Sequence, residues 1–417
     1  MTGEAFAFPV IFLYFWVNHT SMGQPIRKTI IEAHPDAGKE PFYTLLVDGT
    51  NLLRISFADT KINTKGLHYG AVYQFLNQLR HMMEKRPFDY VYVFFDDEDS
   101  GMLRYRIYNE YKANRDKNYA DHDGISDYMK AFNATVKRMQ AYHNAQNQMR
   151  RPKTDAEKLV DENFARERAI LCRYFNELYI RWQMDEVTEG DDLISYYVHH
   201  KKPEERIYIM SADEDLTQLI GENVCVYNMR LKKPFSEKNF KKEKGFPHEN
   251  VVLKKIFLGD TSDNIGNIRG VSETRLMEMM PEIAQRPVTV DEVRDRARQL
   301  CEARVKEKKK PLQWQQNIVD GVANKTYNGD FYDINNRLIN LDHPLLTEEA
   351  EQELSEMMYN AQDPDDRSFG NLYNYIIEDD IMELISDSAF SNFFLPFKEL
   401  ANKEIKRYEK QYGKATK

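Results

Sequence analysis

The sequence predicts an α/β fold with a mostly parallel, doubly wound sheet. Three observations predict it. Apolar runs rich in β-branched and aromatic residues recur over 44–48, 90–95, 206–210 and 224–228, and each reads as a buried strand. A helical stretch over about 69–85, apolar at Val72, Phe75, Leu76, Leu79 and Met83, separates the first two, the β-α-β alternation of a parallel sheet. Acidic groups end two of these runs, at Asp48 and Asp96, and SADED follows a third, where such a sheet presents its ligands.

Taken in order, residues 1–40 read as an N-terminal extension. Its apolar run AFAFPVIFLYFWV is shorter than the roughly 20 residues a membrane helix needs. It also lacks the basic lead of a signal peptide, with Glu4 before it. Either it is a packed or disordered extension, or translation begins at Met22. Residues 41–263 read as the core. Within it, about 105–188 is long, charged, poor in strand signals and broken at Pro152. It is too long for a structureless loop and reads as a helical arch over the site, although a plain helical pair fits the composition equally. A helix over 191–200 follows. The remainder, 264–417, reads as a helical hairpin and a mainly helical C-terminal domain.

The 417 residues are 30% charged and 41% hydrophobic, an ordinary soluble composition. The net charge of −9 does not exclude a nucleic-acid binder, because the distribution of charge matters more than its sum. Cys172, Cys225 and Cys301 form neither a zinc spacing nor a disulfide framework, which suits a reducing compartment such as the cytoplasm.

Five acidic groups carry the chemistry. They are Asp48 in VDGTN, Asp96 in FFDDED, Glu189, Asp191 and Asp192 in EGDD, Asp213 and Asp215 in SADED, and Asp260 and Asp263 in GDTSDN. So many converging carboxylates stay ionised together only around cations, and oxygen-only ligands suit magnesium or manganese. Taken singly, EGDD and SADED are also compatible with helix capping boxes at Thr188/Asp191 and Ser211/Glu214. The set of five is harder to attribute to capping. VDGTN falls short of the D-x-D-G-T phosphatase motif, because position 46 is Leu46.

Cations accompany the acids. RYRIYNEYKANR reads as a helix carrying Arg104, Lys112 and Arg115 among Tyr105, Tyr108 and Tyr111. Such cations can offset charge on a scissile phosphate. Arg230, Lys232, Lys233, Lys238, Lys241, Lys242 and Lys244 crowd 230–244, either a solvated loop or a phosphate-binding patch. GDTSDNIGNIRGVSETR sets Gly266, Gly270 and Arg275 in a helical hairpin whose backbone amides can grip phosphates without reading sequence.

The ordered series VDGTN, FFDDEDSGMLRYRIYNEYKANR, EGDD, SADEDLTQL and GDTSDNI resembles the flap endonuclease and 5′-3′ exonuclease superfamily. Within it the chain is most similar to the ribonuclease H of T-even phages, whose tail RLINLDHPLL also resembles. The resemblance implies a 5′ nuclease that removes RNA primers or 5′ flaps in replication, in host cytoplasm if the source is a phage. It implies two magnesium ions, with manganese able to substitute, held by Asp48, Asp96, Glu189, Asp191, Asp192, Asp213, Asp215, Asp260 and Asp263. Arg104 and Lys112 fall on the family's catalytic basic residues. Arg115, Lys232, Lys233, Lys241, Lys242, Gly266, Gly270 and Arg275 are the expected contacts to DNA. Branched or nicked DNA and RNA–DNA hybrid are the expected partners, a single-strand binding protein or sliding clamp possible further ones, and a membrane none. The hairpin departs from the family pattern, with Ser272 for a glycine and Arg275 near a lysine position. A PIN-type single-strand ribonuclease and a catalytically inactive junction-binding factor are the rival readings.

Overall fold

The structure is a computed structural model that describes residues 41–97, 99–113, 155–365 and 367–413, the side chains of 155–157 excepted. The N-terminal extension and residues 114–154 of the expected arch, Arg115 among them, lie outside the described residues.

Strand β1 (Phe42–Asp48) is the centre of a six-stranded sheet of order β3-β2-β1-β4-β5-β6. Its neighbours are β2 (Tyr90–Asp96) and β4 (Glu205–Ser211), both parallel to it. Outside these lie β3 (Arg181–Asp185), parallel to β2, and β5 (Val224–Asn228), parallel to β4. The short β6 (Lys233–Phe235) closes the far edge antiparallel.

Strand period two divides the apolar runs between two cores. Leu45, Val47, Val91, Val93 and Phe95 pack on one face with α2 (Gly70–Lys85) and α4 (Asp155–Glu177). Leu46, Tyr92, Phe94, Ile207, Ile209 and Val226 pack on the other with α5 (Gly190–His199). Both faces are therefore covered, which is why the strands read as continuous apolar runs rather than alternating ones.

The helices expected after residue 263 divide among cores. Helices α8 (Glu273–Met279), α9 (Val290–Lys306), α10 (Gln313–Asp320) and α11 (Phe331–Ile339) form a third cluster with α7 (Asn250–Leu258). Helix α12 (Glu348–Met357) joins the α5 face of the sheet. Helices α13 (Phe369–Asp379), α14 (Asp387–Phe393) and α15 (Leu395–Tyr412) supply Leu372, Phe393 and Phe397 to the α2 face.

Two local expectations are corrected. The region read as helical up to residue 188 contains the edge strand β3. Its sequence RWQMD lacks an apolar run because its polar residues are satisfied from elsewhere. Arg181 Nη2 donates to Glu404 on α15 at 2.6 Å, and Gln183 Nε2 to the Ala350 carbonyl at 3.0 Å. The basic helix after β2 is also shorter than expected. Helix α3 (Met102–Ile107) ends at Ile107, and Lys112 sits in a turn at φ 52°. Tertiary bonds override helical propensity there: the Lys112 amide donates to the Asp263 carbonyl at 2.8 Å, and Asn264 Nδ2 to the Glu110 carbonyl at 2.7 Å.

Candidate active site

The strand order reverses at β1, and such a reversal opens a crevice at the carboxyl ends of the strands. A cavity of about 860 Å³ lies there. Asp48, Asp96, Glu189, Asp191, Asp213, Asp215 and Asp263 line it.

Each acid is placed by its element. Asp48 ends β1 and caps α1 (Gly49–Ser56), accepting from the Asn51 amide at 2.9 Å and the Ser211 hydroxyl at 2.7 Å. Gly49 permits this tight strand-to-helix turn, since a Cβ there would lie 2.7 Å from Phe95 and Val93 side chains. Asp96 ends β2 and accepts from the Gly190 amide at 2.8 Å, which ties it to the start of α5. Asp213 and Asp215 follow β4, with the Asp215 amide donating to Asp213 Oδ1 at 2.9 Å. The capping-box readings do not hold: the N-caps Glu189 and Glu214 make no side-chain cap bond.

Asp192 faces away from the cavity wall. It is buried, bonded to Arg104 and to the Leu345 amide at 3.0 Å. Glu189 accepts from Arg104 Nη1 at 2.7 Å and Tyr111 at 3.0 Å, and pairs with Lys112. Arg104 also donates from Nε to the Leu338 carbonyl at 2.8 Å, so its guanidinium is held on several sides. All three tyrosines of this segment are buried, Tyr108 stacking on Tyr327 with ring centres 4.8 Å apart.

On the far side, Asp215, Asp260 and Asp263 bring one oxygen each within 4.8 Å of one another. Lys255 on α7 bonds both Asp215 and, at 2.6 Å, Asp260. Asp260 also accepts from the Ser262 hydroxyl at 2.6 Å.

Burial, then Asp96 and Asp213, pushes Asp48 up to about 7. Burial, then Asp48, Asp213, Asp96 and Glu189, raises Asp191 well above the usual carboxylate range. Asp215 rises to about 7, mainly through burial and despite Lys255. Burial also raises Asp260, but Lys255 outweighs it and holds the group at about 2. Among the described residues no lysine or arginine pairs with the side chains of Asp48, Asp96, Asp191 or Asp213. Crowded, partly buried like charges of this kind are offset by a cation, and the oxygen-only donors suit a hard divalent one. The residues therefore fit a divalent metal site.

The expected DNA contacts scatter more widely. Lys232, Lys241 and Lys242 are exposed. Lys233 pairs with Glu243 at 2.5 Å, and Lys241 Nζ donates to the Gln285 carbonyl at 2.8 Å. Gly270 is exposed at φ 80°, and its carbonyl accepts from Arg275 at 2.6 Å. Gly266 is corrected: it offers no open amide. It is buried, and its N–H donates to the Tyr327 hydroxyl at 2.7 Å.

Sequence reading missed several lining residues, among them Arg54, Phe164 and Arg168. Arg168 on α4 donates to the Asp96 carbonyl at 2.7 Å and to Asp97 at 3.2 Å. Nothing local marks it, since α4 is far in sequence from β2. Lys255 had a signal, standing five residues before the aspartate of LGD.

The chain has an α/β fold like the 5′-nuclease fold, with an acidic centre suited to divalent cations. Residues 43–245 match the family described as 5′-3′ exonuclease, N-terminal resolvase-like domain. A 5′-3′ exonuclease of Mycoplasmopsis pulmonis is 38% identical over 86 residues, 20% of this chain and 29% of that protein. DNA polymerase I of Bacillus subtilis is 25% identical over 259 residues, 60% of this chain and 24% of the polymerase. The chain thus spans less than a third of the length of these relatives. The T5 D15 protein co-crystallized with metal ions shares the fold, with a TM-score of 0.52 and 17% identity over 76% of this chain and 97% of that one.

Proposed function

We propose that this protein is a structure-specific 5′ nuclease, a 5′-3′ exonuclease and flap endonuclease with ribonuclease H activity, that hydrolyses phosphodiesters with two divalent ions. The observation that carries the reading is the set of acids from four strand ends and the 260–263 loop lining one cavity. The names of the relatives, 5′-3′ exonuclease and DNA polymerase I, favour removal of RNA primers or 5′ flaps in replication.

Asp48, Asp96, Asp191 and Asp213 would hold one magnesium ion, with Glu189 beside them; Asp215, Asp260 and Asp263 would hold a second. Ions held there would supply Lewis acidity, lowering the pKa of water and offsetting charge on a leaving 3′ oxygen. Lys112 faces the cavity and offers its ammonium to the scissile phosphate. Arg104, gripped by Glu189 and Asp192, orients Glu189. Arg168 fixes the end of β2 and so the bearing of Asp96. Lys232, Lys233, Lys241, Lys242, Gly270 and Arg275 hold duplex backbone, so that recognition follows structure rather than sequence.

Cleavage of 5′-labelled flap, nicked duplex, RNA–DNA hybrid and RNA hairpin substrates tests this. Magnesium and manganese support cleavage of the first three, and calcium supports binding alone. Selective cleavage of the hairpin indicates a single-strand ribonuclease instead, and binding without cleavage in magnesium a junction-binding factor. A cytoplasmic location is part of this reading, supported by scattered cysteines that form no disulfide among the described residues.

A further inference from the structure

The two halves of the acidic centre differ in one respect. Asp48, Asp96, Asp191 and Asp213 carry no paired ammonium or guanidinium among the described residues. The Asp215–Asp260–Asp263 group carries one: the Lys255 ammonium bonds Asp215 Oδ1 and, at 2.6 Å, Asp260 Oδ2. The three oxygens of this group lie within 4.8 Å of one another, room for one small cation. Two of the three already meet the same ammonium.

Lys255 is anchored for this position. It lies in the last turn of α7, and the Gly259 amide returns to its carbonyl at 2.7 Å. Gly259 then turns the chain at φ 70° and ψ −175°, a region open essentially to glycine alone. A Cβ there would lie 2.6 Å from the Ile265 carbonyl oxygen. That turn brings Asp260 back over the lysine five residues earlier. The fold therefore delivers the ammonium and its two carboxylates from one short segment plus the loop after β4.

We propose that Lys255 is a tethered competitor for the second divalent ion. Its ammonium holds Asp215 and Asp260 together before that ion arrives and must be displaced for the ion to enter. The uncompensated half of the centre fills first and tightly; the Lys255 half fills second and more weakly. The displaced ammonium remains on α7 beside the centre, where a phosphate is the natural new partner for it. Entry of the second ion is thereby favoured by bound substrate, because substrate phosphate stabilises the displaced lysine.

This rests on the two-ion reading above, and the test separates the two. Manganese binding to the full chain is measured by calorimetry and by electron paramagnetic resonance, without substrate, for wild type, Lys255→Met and Lys255→Arg. Wild type is expected to bind one ion tightly and one weakly. Lys255→Met is expected to tighten the weak ion about tenfold or more, because the competent site is no longer depleted by its internal cation. Lys255→Arg, which keeps the charge, is expected to leave the second ion weak. Thermal melts of the metal-free proteins provide a second readout, in which Lys255→Met loses stability and regains more than wild type when manganese is added. An unchanged or weaker second ion in Lys255→Met overturns the inference alone. Absence of any manganese binding to wild type overturns the two-ion reading with it.

Discussion

At the scale of single residues, Arg104 and Lys112 illustrate two uses of a cation beside carboxylates. Arg104 is 4% exposed and held by Glu189 and Asp192. Removing one partner of a buried ion pair leaves an uncompensated charge and costs about 3–5 kcal/mol. Arg104→Met is therefore expected to lower unfolding stability by roughly that amount; a shift in urea midpoint too small to resolve would show that Glu189 and Asp192 find other partners. Lys112 reaches the cavity from a turn and pairs there with Glu189; the role proposed for it is to offset transition-state charge. Lys112→Ala is expected to slow single-turnover cleavage about a hundredfold at saturating flap DNA, the loss seen when an oriented donor is removed. Normal turnover at saturation would reduce it to a phosphate anchor.

At the scale of elements, the β6–α6 hairpin is the feature to separate from the chemistry, α6 being Phe240–Lys244. It presents Lys241 and Lys242 to solvent at the sheet edge. Lys241→Ala is expected to weaken duplex binding and flatten its salt dependence, while saturated single-turnover cleavage stays near normal. An unaltered salt slope would place the duplex elsewhere. The strands β1 and β2 were legible in the sequence because both faces of each are buried, leaving unbroken apolar runs, and β4 and β5 because their β-branched and aromatic residues fill the sheet despite a more exposed alternate face. The strand β3 was not, because Glu404 and the Ala350 carbonyl, far off in sequence, satisfy its polar residues. Asp48, Asp96, Asp213 and Asp215 were legible since strand ends mark them; Asp260 and Asp263 follow a helix and were legible only through the motif GDTSDN. Arg168 and the buried Gly266 amide were not, since only the folded chain shows what each touches.

At the scale of the whole molecule, the crowded acids oppose folding, and a divalent ion bound among them would relieve it. Asp48 and Asp215 sit at about 7 against an ordinary 3.8. Between those values the folded chain binds more protons than the unfolded one, so stability of the metal-free protein rises as pH falls from 8 towards 5. Asp260, held at about 2, contributes in the opposite sense only below the ordinary carboxylate value. Thermal melts in chelator are expected to show a higher Tm at pH 5.5 than at pH 8, and magnesium to raise the pH 8 value. A metal-free Tm that falls steadily on acidification from 8 would contradict the crowding.

The central claim is that these carboxylates hold the ions that cleave a phosphodiester. Single-turnover cleavage of a 5′-labelled flap by wild type and Asp48→Asn, in magnesium and in excess chelator, tests it most directly. The account predicts cleavage by wild type in magnesium alone, with Asp48→Asn inert yet still binding the flap in calcium. Cleavage by wild type in chelator, or near-normal turnover by Asp48→Asn, would contradict it.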